Sequence, residues 1–134
     1  MTKKASDITG LTCDMDGQMR LHGEIVDSCN ALEGLSRFLD FLEQYPKPVL
    51  VGHNVEKFDS IVLVNALSNH NLLTWFKNVC SGFADTLSMA KKVYPGRKGP
   101  GQYSQQTLVK EFLNTDYEAH NALADCKAIG KLLE

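Results

Sequence analysis

Pro48-Val49-Leu50-Val51-Gly52-His53-Asn54 is the stretch on which the reading of this chain turns. A short continuous apolar run bounded by proline and glycine predicts a buried strand of a parallel sheet. The polar pair His53-Asn54 then falls at the strand's carboxyl end. Val79 to Ala84 reads as a second short strand ending at Asp85. Between them, Phe58, Ile61, Val62, Leu63, Val64 and Leu67 predict a helix over residues 58–68, apolar nearly all round and so buried on most of its surface, with Asp59 in its first turn. Strands alternating with helices indicate an α/β fold, in which ligands gather at the carboxyl ends of the parallel strands. His53, Asn54, Asp59 and Asp85 all map to that edge.

Working outward, Leu32, Leu35, Phe38, Leu39 and Leu42 recur at helical spacing over residues 30–44, with Asn30 as N-cap and Pro46 beyond the end. Leu72 to Val79 is ambiguous, with Trp75 and Phe76 expected to pack inward. Thr86 to Val93 continues as a helix. Ser104 caps a further helix carrying Leu108, Val109, Phe112 and Leu113, and residues 114–119 form a turn into a last helix over 121–133. Residues 1–28 are polar and turn-rich, with Gly10, Gly17 and Gly23, and predict an irregular segment with at most one short strand.

A length of 134 residues suits a single domain, 1–134, with residues 29–134 as its helix-strand core. At 43% hydrophobic and 22% charged residues a packed core is expected. The formal net charge of −2 gives no global positive field, so binding to nucleic acid must come from a local patch. Lys91, Lys92, Arg97 and Lys98, around Tyr94-Pro95-Gly96 and before Gly99-Pro100-Gly101, form the candidate basic loop; a solvated turn is the plainer reading of the same residues. Cys13, Cys29, Cys80 and Cys126 are scattered without zinc spacing, which fits free thiols in a reducing compartment. With no apolar run long enough for a signal or a bilayer span, a nuclear or cytoplasmic protein is expected, not secreted and not membrane-bound.

The second chemical stretch is His120-Asn121-Ala122-Leu123-Ala124-Asp125. Residues five apart on one helix point about 140° away from each other. His120 and Asp125 therefore converge only if His120 lies in the loop before the helix. Asp59 and Asp125 then become two carboxylates from distant parts of the chain, as a hard divalent cation requires. Taken singly, an Asp in a first helical turn complements the helix dipole and His-Asn after a strand is turn chemistry. Together at one edge, the functional reading prevails. A hydrolase triad is disfavoured, because no Ser or Cys sits in a nucleophile elbow.

Three blocks in order, Val49 to Asn54 with Phe58-Asp59, then Phe83-Ala84-Asp85-Thr86-Leu87, then Tyr117 to Asp125, resemble the DEDDh 3′-to-5′ exonucleases of the ribonuclease H-like superfamily. Tyr103-Ser104-Gln105 and the third block look closest to the exonuclease-like domain of vertebrate promyelocytic leukaemia (PML) proteins and their fish relatives. The resemblance implies a ribonuclease H-like fold and a two-metal site for Mg²⁺ or Mn²⁺. In that site Asp59 and Asp125 would be metal ligands and His120 the general base. His53 and Asn54 would bind substrate, with Lys91, Lys92, Arg97 and Lys98 on the phosphates of single-stranded or 3′-terminal DNA or RNA. Asp85 with Thr86 would hold the strand-to-helix turn.

The family's first strand carries an Asp-x-Glu pair, and no such strand is found here; Asp14-Met15-Asp16-Gly17 reads as a solvent-facing turn. The expectation is an N-terminally truncated fold with a reduced mixed or parallel sheet flanked by helices, inactive or weak on its own. Apolar surface left without sheet partners invites a homo-oligomer or a protein partner over the exposed sheet edge. A non-catalytic interaction or scaffold module of a PML-like protein is the alternative function.

Overall fold

A computed structural model of the chain describes residues 3–134. The two predicted strands form, as β4 (Val49–Gly52) and β5 (Gly82–Asp85), and they pair in parallel with Val49 opposite Gly82 and Gly52 opposite Asp85. Their carboxyl ends therefore coincide. The crossover between them holds α3 (Asp59–Asn69) and α4 (Leu73–Val79), and β5 runs directly into α5 (Thr86–Val93). The fold is α/β, with α2 (Ala31–Glu43) before β4, and α6 (Gln105–Leu113) and α7 (Ala122–Leu132) closing the described chain.

Local chemistry explains the helix starts. The Asn30 side chain accepts from the Glu33 N–H at 2.9 Å, the Ser104 hydroxyl oxygen from Thr107 N–H at 3.2 Å, and the Asn121 side chain from Ala124 N–H at 3.2 Å. Each satisfies a donor that a helix N-terminus leaves free. The core gathers Leu39 and Leu42 of α2, Leu67 of α3, Phe76 and Val79 of α4, and Cys80, with Leu50 of β4, Phe83 of β5 and Trp75 packed against it. Trp75 also donates its Nε1–H to Glu43 Oε1 at 2.5 Å, tying α4 to α2. Leu108 and Val109 of α6 and Ala128 of α7 are buried as well.

The structure departs from the sequence reading in three places. Residues 3–28 are not irregular: they hold α1 (Lys3–Thr9) and an antiparallel sheet of β1 (Leu11–Cys13), β2 (Met19–Leu21) and β3 (Glu24–Ile25). Turn chemistry makes this sheet. Asp14 Oδ1 accepts from the N–H of Asp16 and Gln18 at 3.2 and 2.8 Å, and His22 and Gly23 both take positive φ between β2 and β3, the geometry of a tight hairpin. Residues 1 and 2 lie outside the described residues.

The second departure is β4, which is not buried on both faces: Leu50 turns to the core while Val49 remains 50% exposed, with Val51 exposed beside it. The third is α3, expected to be buried nearly all round, where Phe58, Ile61 and Val62 are exposed and only Leu67 is fully enclosed. β4 has β5 as its only strand neighbour among the described residues, and no described element encloses this face of β4 or the outer side of α3. Among the described residues, no helix is long and apolar enough to cross a membrane.

Candidate active site

Where β4 ends, the chain must turn sharply. A Cβ at Gly52 would sit 2.8 Å from Val55 Cβ, so glycine lets buried Val55 fold back against the strand end. Asn54 takes the left-handed conformation, φ 64°, which Asn tolerates better than most residues. The turn is held from β5. Asp85, 5% exposed, accepts from Asn54 N–H at 2.8 Å and Leu87 N–H at 2.9 Å through Oδ1, and from Glu56 N–H at 3.4 Å through Oδ2. One carboxylate thus caps α5 and fixes the His53–Glu56 loop. The Thr86 hydroxyl lies 3.3 Å from the Gly52 carbonyl, adding a second tie between the strand ends.

His53 uses both ring nitrogens. Nε2 lies 2.8 Å from the Tyr103 carbonyl oxygen and Nδ1 lies 2.9 Å from Thr86 Oγ1. A carbonyl only accepts, so Nε2 carries the proton, and Nδ1 of the neutral ring accepts from the Thr86 hydroxyl, whose single proton is shared with the Gly52 carbonyl. Burial holds its pKa below the usual 6.5; the Tyr103 carbonyl and the Asp85 charge oppose that shift, and Lys91 adds to it. His53 therefore joins the end of β4 to the loop before α6.

His120 stands in the loop before α7, at φ 69°, and Asp125 lies four residues into the helix numbering from Asn121. Both border the same cavity. Tyr117 and Gln105 hold Asp125 from behind. The Tyr117 hydroxyl is pushed up to about 12, first by burial and then by its hydrogen bond to the Asp125 carboxylate and that group's charge. Gln105 Nε2 donates to the Asp125 carbonyl at 2.9 Å, linking α6 to α7. Tyr117 and Gln105 stand in the sequence blocks Tyr117 to Asp125 and Tyr103-Ser104-Gln105, but the sequence reading gave neither a role.

Asp59, His120 and Asp125 border one cavity of about 610 Å³, with His53 and Tyr117 on its wall and Leu50, Leu63, Phe83 and Ile129 as its apolar lining. Asp59 and His120 are exposed and Asp125 is half-buried. Asn54 and Lys91 border a second cavity of about 370 Å³, which shares His53 and Ser104 with the first. Lys92 and Lys98 are exposed and border neither. Arg97 is occupied within the protein: it pairs with Glu111 at 2.5 Å, donates to the Gln102 carbonyl at 3.2 Å and lies over the rings of Tyr94, Tyr103 and Phe112.

A family model described as Exonuclease matches residues 1–133. The chain belongs to the exonuclease family. No curated protein matches the chain. Nucleic acid is the substrate class that this membership indicates, and divalent metal ions are the family's usual cofactors. In this exonuclease domain the donor set does not fit a two-ion centre. Among the described residues, no group of three or more His, Cys, Asp or Glu side chains is placed to hold a metal ion. Asp14 and Asp16 do not supply the missing ligands; Asp14 is engaged in its own turn and lies 3.7 Å from Arg20.

Proposed function

We propose that this exonuclease domain has a ribonuclease H-like, DEDDh-type fold and binds the 3′ end of single-stranded DNA or RNA, and that alone it hydrolyses that end weakly or not at all. The observation that carries the reading is a pair of facts about one cavity: Asp59, His120 and Asp125 all border it, yet among the described residues no three His, Cys, Asp or Glu side chains come together to hold a metal ion. In this reading His120 is assigned the role of general base and Asp125 that of a metal ligand. A bridging carboxylate is what a pair of Mg²⁺ or Mn²⁺ ions needs to activate water and stabilise the leaving oxygen, and two carboxylates do not provide it.

Substrate contacts are assigned to His53 and Asn54 at the end of β4 and to Lys91, Lys92, Arg97 and Lys98. Of these cations Lys91, Lys92 and Lys98 are exposed, whereas Arg97 contributes through the loop that it braces. Four free thiols favour a reducing compartment, the nucleus or cytoplasm.

The test is Mn²⁺-dependent degradation of a 5′-labelled single-stranded oligonucleotide by the purified chain, beside His120→Ala and Asp125→Ala. The expected result is no shortening above either variant. Laddering from the 3′ end that both substitutions abolish would overturn the inactivity and show that other residues complete the site.

A second reading, a non-catalytic interaction module of a PML-like protein, is favoured by the exposed apolar side chains of Val49, Val51, Phe58, Ile61, Val62 and Leu123. Surface of this kind marks association with a second copy or with a partner that covers the β4 edge. Concentration-dependent association in sedimentation, unchanged by Asp125→Ala and reduced by Val51→Thr with Val62→Thr, would support it. A monomer at every concentration would count against the homo-oligomer.

A further inference from the structure

We propose that the second cavity, between the end of β4, the last turn of α5 and the loop before α6, is a subsite for one nucleotide phosphate, distinct from the cavity of Asp59, His120 and Asp125. It rests on the nucleic-acid reading given above and narrows it to named groups.

The cavity of about 370 Å³ is lined by His53, Asn54, Leu87, Lys91, Gly99, Gly101, Gln102, Tyr103 and Ser104. No carboxylate is among them. Lys91 is exposed, pairs with no acidic side chain among the described residues, and lies 6.0 Å from the centre of the Tyr103 ring. An unpaired ammonium on a wall without carboxylates favours an anion.

The facing loop is shaped for the same ligand. Gly99 and Gly101 both have positive φ, 108° and 75°, and their N–H groups donate to no acceptor among the described residues. Pro100 between them has no N–H, so Gly99 and Gly101 supply two separate free donors on the cavity lining for an anion to engage. The loop does not depend on an anion to hold its shape. Arg97 ties it to Glu111 and the Gln102 carbonyl, Tyr103 donates its hydroxyl to the Tyr94 carbonyl, and Thr107 Oγ1 donates to the Gly101 carbonyl at 2.9 Å. Such preorganisation lowers the ordering cost of binding.

The ligand class follows from the rest of the lining. Leu87 and the Tyr103 ring give an apolar wall for a sugar or base, and the Asn54 and Gln102 amides can each donate and accept. His53 and Ser104 are common to both cavities, so a strand passing the His53 ring reaches one from the other. Lys92 and Lys98 lie outside, which separates this subsite from a diffuse basic surface.

The shared chemistry is a nucleotide phosphate, carried either by an internal residue of a strand or by a free mononucleotide. The test is equilibrium binding of a fluorescein-labelled oligothymidylate over a range of salt, in EDTA so that hydrolysis plays no part. Wild type is compared with Lys91→Gln, Lys92→Gln and, as a control that borders neither cavity, Lys110→Gln. The expected result is several-fold weaker binding by Lys91→Gln, with the slope of log K against log[salt] shallower by about 0.7, one phosphate contact on a single strand. Lys92→Gln loses less and Lys110→Gln nothing.

Thymidine 5′-monophosphate as competitor separates the sources: displacement of the oligomer from wild type includes free mononucleotides, and its absence confines the subsite to a strand. Equal losses in Lys91→Gln and Lys92→Gln would overturn the subsite while leaving nucleic-acid binding intact. Failure of wild type to bind the oligomer would overturn both readings.

Discussion

Removing the Asp85 carboxylate is the perturbation that most directly tests how the two strand ends are held. Two of its contacts are short: the Leu87 N–H at 2.9 Å, which is the cap of α5, and the Asn54 N–H at 2.8 Å from the neighbouring strand end. Loss of the cap costs about 1 kcal/mol, and loss of a hydrogen bond to a buried carboxylate about 2 kcal/mol. The Glu56 contact at 3.4 Å adds little. Asp85→Ala should therefore destabilise the fold by about 3 kcal/mol, or roughly 10 °C in Tm for a domain of this size. Asp85→Asn keeps one acceptor but turns an amide N–H toward a backbone donor, and should fall between the two. Urea denaturation followed by circular dichroism reads all three. If Asp85→Ala lost less than about 1 kcal/mol, below the weight of the cap alone, the carboxylate would not be what joins β4 to β5. A folded Asp85→Ala should also bind oligothymidylate more weakly, because Asn54 and His53 lose their backbone anchor.

Other consequences follow from the same geometry. Because His53 is held neutral in the fold with its pKa below 6.5, the unfolded chain binds the proton first as pH falls; stability should drop below about pH 6.5. Comparing urea midpoints at pH 7.5 and 5.5 should show a smaller drop in His53→Gln, and an equal drop would refute that role. Tyr117 titrates at about 12, above the unfolded value of 10.0, so its contribution is complete below pH 10 and is lost as pH rises toward 12. Ultraviolet titration should show a late-ionising component that disappears in Tyr117→Phe; a titration curve whose late component survives that substitution would contradict it. Gly52→Ala forces a Cβ against Val55 and should destabilise by about 1–3 kcal/mol in the same urea assay, whereas a neutral result would mean that the turn relaxes freely.

What was legible in the sequence was whatever local chemistry decides. Asn30 and Ser104 announce helix starts because a short polar side chain caps a donor three residues on, and the apolar run Val49 to Gly52 announces a strand; the second strand, read over Val79 to Ala84, forms later, as Gly82–Asp85, because Val79 ends α4. Position before a helix also allowed His120 and Asp125 to be read as convergent, and both border the same cavity. The small sheet of residues 11–25 escaped because its strands are two or three residues long and owe their pairing to turns, one of them closed by a left-handed His22. Tyr117 escaped for a related reason. Its approach to Asp125 depends on an aperiodic stretch entered by left-handed Asn114 and left by left-handed His120, a path that no pattern encodes.

Burial was misread for a different reason, and that reason bears on function. Apolar residues state what a segment can bury, while actual burial depends on what lies opposite. Val51 is exposed on its strand and also lines the cavity of Asp59, His120 and Asp125, so the uncovered sheet face and that cavity adjoin. Any chain segment that covered β4 would alter that cavity as well. Association through this face and activity at this site are therefore coupled quantities. A preparation in which Val51→Thr reduces self-association should be assayed for nuclease activity in the same buffers: activity that tracks the associated fraction would locate the missing group in the covering chain, and activity independent of it would not.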